Sequence, residues 1–185
     1  QMRITLGTTD PRLSPVLDAQ RVSTILTSNR VSDVVSNYAT DSRVKTMKED
    51  PTGCQYITKE ISLENAATSI KILLAGHVHA DADIRAFYSI GDRTGFQPIF
   101  TPFPGFDNLN NRGQVINAAN NNGQSDAFIP KTNQYGFGDA VQFSDYTFTA
   151  DDLPAFRYYR IKLLLISSDQ VYVPRVKDLR VMALA

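Results

Sequence analysis

A two-residue alternation of apolar and polar side chains after residue 54 constrains the fold of this chain more than any other feature. The clearest example is SIKILLAGHVHA, from Ser69 to Ala80. Successive side chains of a β-strand point to opposite faces, so this spacing predicts a strand with one face on a core. The residues predicted to face that core are Ile70, Ile72, Leu74 and Val78.

Further segments have the same character and are separated by turn-forming residues. They are Gln55 to Leu63, Asp83 to Gly91, Phe96 to Phe103, Ala140 to Thr149, Phe156 to Ser168 and Arg175 to Ala185. Two prolines predict an edge or irregular position for Phe96 to Phe103, whereas the apolar run from Phe156 predicts a central buried strand. This pattern predicts an all-β domain over residues 55–185, an antiparallel β-sandwich of the jelly-roll type.

In the segment from Gln55 to Leu63, the alternation of apolar and polar residues is continuous. Ile57, Ile61 and Leu63 are an even number of residues apart, which predicts that all three share one face of a single strand.

Residues 1–54 have a weaker pattern and too few apolar side chains for a core of their own. We expect them to form an arm that packs on the sandwich, on a neighbouring chain, or on both. Because the chain begins with Gln and residues 3–6 resemble part of a strand, we also expect it to be a piece of a longer polypeptide. Apolar side chains in the arm predict an interface; they are Val16, Leu17, Ile25 and Leu26.

Asparagine and glycine are concentrated at about residues 104–133, which predicts a long structured loop on the surface. Phe106, Tyr135 and Phe137 lie in or beside this loop. Two interpretations remain open for their rings. They anchor the loop on the sandwich, which is the favoured one, or they stack on a bound sugar.

Charge and cysteine content limit the classes of partner. The 19 basic and 19 acidic residues balance, so there is no bulk attraction to nucleic acid or to an anionic membrane, and neither is expected as a partner. Cys54 is the only cysteine, which rules out an intrachain disulfide and fits a reducing cytoplasm. The longest apolar run, Ile161 to Ile166, is interrupted by Lys162 and is too short to cross a bilayer.

The stretch GHVHADAD raises the question of a metal site. His77 and His79 are two residues apart, as a pair of ligands on one strand face would be, and Asp81 and Asp83 would add oxygen donors. However, the predicted strand turns both histidines away from the core and leaves the aspartates in a connection of hairpin length. No third histidine or second cysteine completes a tetrahedral zinc site. The segment is predicted to be a strand end with a solvated turn, and no metal or other cofactor is expected.

Motifs of catalysis are not found in the sequence. There is no Gly-x-Ser-x-Gly, no cysteine with a positioned histidine, and neither of the glycine-rich phosphate-binding patterns. The sequence therefore predicts a protein that is not an enzyme. A hydrolase whose two carboxylates come from separate loops stays open as an alternative.

Three stretches carry a resemblance to a known family. They are Leu13 to Val31, beginning LSPVLDAQRV, Cys54 to Ile90, beginning CQYITKEISLENAATS, and Phe156 to Ala185, which contains VPRVKDLR. Together they resemble the C-terminal region of virion structural proteins of T4-like phages of marine bacteria, which are baseplate or tail components. The paired histidines of GHVHADAD depart from the pattern of that family.

The resemblance implies a non-enzymatic role in subunit assembly. Its expected partners are other virion structural proteins and further copies of the chain, and its expected location is the virion, assembled in the host cytoplasm. The alternative function is a carbohydrate-binding module of a fibre or adhesin involved in host attachment, with a carbohydrate as the partner.

Overall fold

The computed structural model describes residues 35–79, 82–105, 122–126, 143–168 and 173–185, and the regular structure in these ranges is almost all β. All strand pairs are antiparallel, so the all-β prediction is confirmed for this part of the chain. A 3-10 turn covers Ser42–Lys45, and no helix in the described ranges is long and apolar enough to span a membrane. The strands are β1 (Gln55–Ile57), β2 (Ile61–Ala67), β3 (Ser69–His77), β4 (Ala82–Gly91), β5 (Thr101–Pro102), β6 (Ser144–Ala150), β7 (Phe156–Ser167) and β8 (Arg175–Leu184).

The strands form two sheets. In sheet A, β1 and β2 lie along one side of β7, and β4 and then β5 follow on its other side. In sheet B, β3 lies between β6 and β8. One hydrophobic cluster takes side chains from both sheets, and burial of this apolar surface is the main stabilising contribution. Its members include Ile70, Ile72, Leu74, Ile84, Ala86, Tyr88, Tyr146, Phe148, Tyr159, Ile161 and Leu163.

The connection between β3 and β4 joins the two sheets and does not form a hairpin. β3 pairs with β6 and β8, whereas β4 pairs with β5 and β7. The backbone N–H of Ala82 donates to the carbonyl of His79 at 3.0 Å, which closes the corner. Asp83 is the second residue of β4, which confirms the strand predicted from Asp83 to Gly91; its predicted position in the turn is wrong.

The segment predicted as one strand from Gln55 to Leu63 is two strands. Ile57 pairs with Lys162, and Ile61 pairs with Tyr159. The two isoleucines are four residues apart, but their partners in β7 are only three residues apart, so the segment between β1 and β2 contains one extra residue. An extra residue of this kind moves the following side chains to the other face of the sheet. Ile61 and Leu63 therefore pack on the shared core, but Ile57 packs on the opposite side of sheet A, and the prediction that the three share a face is wrong.

β7 occupies the central position that its apolar sequence predicts. Tyr159, Ile161 and Leu163 face the shared core, and Leu164 and Ile166 belong to a second cluster on the other face of sheet A. A strand buried on both faces has no reason to alternate, which explains the continuous apolar run. Residues 35–50, here called the covering segment, contribute Val35, Tyr38 and Val44 to the second cluster, which also contains Phe87 and Phe100.

The strand predicted from Phe96 to Phe103 is reduced to β5, which pairs only Thr101 and Pro102 with β4. β5 lies at the end of the strand order of sheet A, as the prolines predict. Pro98 cannot donate to a ladder, and just before β5 the Phe100 N–H instead donates to the Lys45 carbonyl at 2.8 Å.

Part of the asparagine-rich region, residues 122–126, bridges the two sheets. The Gly123 N–H donates to the Phe103 carbonyl at 2.8 Å, and the Gly123 carbonyl accepts from Ala86 of β4 at 2.9 Å. Three residues later, the Asp126 N–H donates to the Thr147 carbonyl of β6. This part of the predicted loop is thus fixed by main-chain bonds to both sheets.

Gly123 is required for that bridge, and replacing it with alanine is expected to destabilise the fold by about 2 kcal/mol. Its φ is +77°, and an added Cβ would lie 3.1 Å from the Ala86 carbonyl oxygen. Gly95 is the matched control, since its φ is +70° with no atom within 4 Å of an added Cβ. Urea unfolding should show a smaller loss, about 1 kcal/mol, for Gly95→Ala; equal losses would contradict the close approach at Gly123.

Candidate functional site

The most unusual chemical group in the described residues is a fully buried lysine on the covered face of sheet A. Lys162 lies in the middle of β7, and its side chain is 0% exposed. Neighbouring positions in the strand are among the most apolar in the chain. A buried ammonium is stable only when its hydrogen-bond donors and its charge are matched.

The covering segment supplies that match. The Lys162 ammonium forms an ion pair with Asp50, whose side chain is also 0% exposed, and donates to the carbonyls of Val44 at 2.8 Å and Thr46 at 3.1 Å. An ammonium has three donors, and these acceptors use all three. The remaining oxygen of Asp50, Oδ1, accepts from the Thr52 N–H at 2.9 Å.

Two aromatic rings complete the surroundings of the ammonium. Its nitrogen lies 5.2 Å from the ring centroid of Phe100 and 5.8 Å from that of Phe87, within the range of cation–π attraction. Burial lowers the pKa of Lys162 from its usual 10.5, and the contact with Asp50 opposes this. Because the Lys162 ammonium is fully buried, its contacts with Asp50, Val44 and Thr46 serve to hold the covering segment on sheet A.

The geometry of the covering segment follows from its sequence. Asp41 caps the 3-10 turn by accepting from the Arg43 N–H at 2.9 Å, and the turn ends at Lys45. The carbonyls of three successive residues then point at sheet A. Those of Val44 and Thr46 reach Lys162, and that of Lys45 reaches the Phe100 N–H.

A second anchor on the same face is Arg85 of β4. Its Nε donates to Asp83 at 2.7 Å, its Nη1 donates to the Asn122 carbonyl at 2.7 Å, and its guanidinium lies 5.3 Å from the ring centroid of Tyr38. Arg85 therefore joins β4, the covering segment and the bridge at residue 122.

The two histidines lie where the chain crosses between the sheets. β3 ends at His77, as the prediction of a strand end requires, but both histidines are buried and not solvated, and residues 80–81 of the predicted turn lie outside the described residues. His77 is 9% exposed and His79 is 5% exposed. The ring of His77 packs edge-on to Phe143, with centroids 6.5 Å apart. Because this connection crosses between the sheets and is not a hairpin tip, burial of both imidazoles is compatible with its position.

No group of three or more histidine, cysteine or carboxylate side chains able to hold a metal occurs among the residues that the structure describes. Asp81 lies outside those residues, and Asp83 is engaged by Arg85. Cys54 is exposed and lies immediately before β1.

The outer face of sheet B has a different character. Ala75 of β3 pairs with Asp145 on one side and with Asp178 on the other. The small side chain of Ala75 leaves a recess of about 240 Å³ between the two carboxylates, which Leu73 and Arg180 also line. Polar groups of both charges thus surround an apolar floor.

Exposed apolar side chains are concentrated around the same sheet. Six of the nine large apolar residues that are exposed in the described ranges lie in β3 or β8 or next to β6 or β8. They are Leu73, Phe143, Val173, Val176, Met182 and Leu184.

The predicted interface residues Val16, Leu17, Ile25 and Leu26 lie outside the described residues, as do the predicted sugar-stacking residues Phe106, Tyr135 and Phe137. Sequence reasoning missed the pairing of Lys162 with Asp50. The available signal was a lysine interrupting the most apolar run of the chain.

No family model, curated protein or solved structure matches this chain.

Proposed function

We propose that the chain is a non-enzymatic structural module of a phage virion, a tail or baseplate component that joins other virion proteins and further copies of itself. The observation that carries this proposal is the group of apolar side chains exposed around sheet B. Exposed apolar surface of this kind marks protein interaction sites, and the family resemblance of Cys54 to Ile90 and Phe156 to Ala185 points to the same role.

The proposed architecture is a jelly-roll sandwich. Successive strands change sheet from β2 to β3 to β4, and again from β6 to β7 to β8. The strands β2, β7 and β4 are neighbours in one sheet, and β3 and β6 are neighbours in the other. Pairing of early with late strands in both sheets is what the Greek-key connections of a jelly roll produce.

The proposal assigns no reaction to the buried lysine. The ammonium of Lys162 has three acceptors and no exposed surface, so a solute cannot reach it without release of the covering segment. Its role in the proposed function is to keep sheet A closed on that side, which leaves sheet B for contacts with partners.

Sedimentation velocity of the purified chain tests the proposal. At concentrations up to about 100 μM, we expect self-association that Met182→Glu weakens by at least about tenfold, because burying an unpaired carboxylate costs more than 1.4 kcal/mol. Ile99→Glu is the control, since Ile99 is 69% exposed and precedes β5 of sheet A. A chain that stays monomeric and binds no tail or baseplate protein, or equal effects of the two substitutions, would contradict the proposal.

The recess beside Ala75 favours a second candidate, a carbohydrate-binding module of a fibre or adhesin. Carboxylates accept from sugar hydroxyls and a guanidinium donates to them, but 240 Å³ lies below the roughly 300–1,000 Å³ of most small-molecule sites and suits one sugar ring. On a glycan array, Ala75→Leu should abolish binding by filling the recess. Binding that survives this substitution, or no binding by the unmodified chain, would exclude the recess as a sugar site.

A further inference from the structure

β8 has a ladder edge that no described residue covers. β3 pairs with β8 from Leu184 to Arg175, and β8 has no other partner in the part of the chain that the structure describes. The strand is ten residues long. An uncovered edge presents N–H and C=O groups to which another extended segment can add as a strand.

The charges of β8 indicate which kind of extended segment could pair with its free edge. Its cationic side chains are Arg175, Lys177 and Arg180, and its acidic one is Asp178, so its net charge is +2. Asp178 is already paired, because it accepts from the Arg180 guanidinium at 3.0 Å within the same strand. The Arg180 side chain remains 72% exposed.

The other half of the strand is apolar. Met182 is 39% exposed and Leu184 is 48% exposed, while the residues between and before them pack inward on the shared core. The edge therefore has a cationic half, from Arg175 to Arg180, followed by an apolar half.

We infer that β8 accepts an extended segment of a partner protein by strand addition to sheet B, with acidic side chains opposite Arg175, Lys177 and Arg180 and apolar ones opposite Met182 and Leu184. This inference rests on the proposed function and specifies the chemistry of the partner. Opposite charges facing each other across an antiparallel pair stabilise it, and like charges destabilise it.

A second copy of β8 is a poorer partner for this edge. Two such strands would bring together net charges of +2 each. In addition, Ala75 pairs with Asp178 and Gly76 with Val176, so Lys177 is an extra residue on β8. Lysine at an edge opposes pairing with a strand that has no free carboxylate to face it, and a second β8 has only Asp178, which is already paired with Arg180.

A peptide titration of the full chain, followed by NMR, tests the inference. The probe is a capped ten-residue peptide with Glu opposite Arg175, Lys177 and Arg180, Val opposite Met182 and Leu184, and Thr at the other positions. We expect chemical-shift changes and slowed amide exchange in β8, and an affinity that falls as salt is added. The same peptide with Lys in place of Glu should bind at least about tenfold more weakly.

Two controls separate strand addition from simple charge attraction. A probe N-methylated at alternate backbone positions keeps its carboxylates but loses its ladder donors, and it should not bind. The variant Lys177→Glu with Arg180→Glu should reverse the preference between acidic and basic probes. The variant Lys48→Glu with Lys59→Glu changes the net charge equally at exposed sites on other elements, and it should keep the original preference.

Several results would overturn the inference: equal binding of the N-methylated probe, shifts located outside β8, or slow exchange of the amides on both edges of β8 in the free chain. The last would show that the chain itself already covers the edge. Failure of the probe to bind, together with self-association that Met182→Glu weakens, would overturn this inference and leave the proposed function standing. If the probe binds but the chain associates with neither further copies nor a virion protein, the proposed function is overturned and strand addition to β8 stands.

Discussion

Lys162→Met is expected to lower the free energy of unfolding by about 3–5 kcal/mol, because it leaves Asp50 as a buried charge without a partner. Methionine nearly preserves the volume of the side chain, so the loss does not come from a cavity. The carbonyls of Val44 and Thr46 also lose their donor inside the fold. Urea unfolding of the variant and the unmodified chain measures the difference.

Adding Asp50→Asn to Lys162→Met separates the charge from the packing. Asparagine keeps an oxygen for the Thr52 N–H but carries no charge, so the double variant should regain about 1–2 kcal/mol relative to Lys162→Met alone. Lys71→Met is the control for loss of a lysine from a strand, and it should change stability by less than about 1 kcal/mol. A double variant less stable than Lys162→Met would show that the buried charge is not the source of the loss.

The same pair gives the stability a defined dependence on pH. Burial lowers the pKa of Lys162 in the folded chain below 10.5, so in the interval between the folded and unfolded values the unfolded chain binds more protons. The contribution of Lys162 to stability therefore rises with pH in that interval and is constant below it. The stability difference between the unmodified chain and Lys162→Met should increase as the pH rises toward 10.5 through the interval between the folded and unfolded pKa values.

Local periodicity was sufficient to predict most strands but not their partners. The phase of Ile70, Ile72 and Leu74 in β3 is set by two-residue alternation, and the structure buries all three. Which sheet a strand joins depends on residues far away in sequence. That is why the step from β3 to β4 was predicted to have hairpin length when it crosses between sheets.

The same limit explains the errors in the candidate site. Lys162 is 116 residues from Thr46, and nothing in the local pattern of either segment specifies their contact. The slip between Ile57 and Ile61 is likewise a property of the pairing with β7, since the alternation itself continues across it. The buried positions of His77 and His79 follow from the corner that this topology requires.

Phe148→Ala is expected to have a comparable effect on the other side of sheet A, where the two sheets meet. Phe148 is 1% exposed in β6, and its ring lies 6.1 Å edge-on from that of Phe103, which in turn lies 5.0 Å from the ring of Tyr88 in β4. These three rings connect sheet B to sheet A through the core. Truncation of a buried phenylalanine costs about 3–5 kcal/mol, a large part of the stability of a typical domain.

Two further substitutions show whether that loss comes from the core itself. Phe143→Ala removes the same side chain just before β6, where it is 38% exposed, and should cost less than about 1 kcal/mol. Phe148→Leu restores most of the apolar volume without the ring, and should recover more than half of the loss. If Phe148→Ala were as mild as Phe143→Ala in urea unfolding, the rings would not join the sheets. The contact between sheets A and B would then have to depend on the aliphatic residues of β3 and β7.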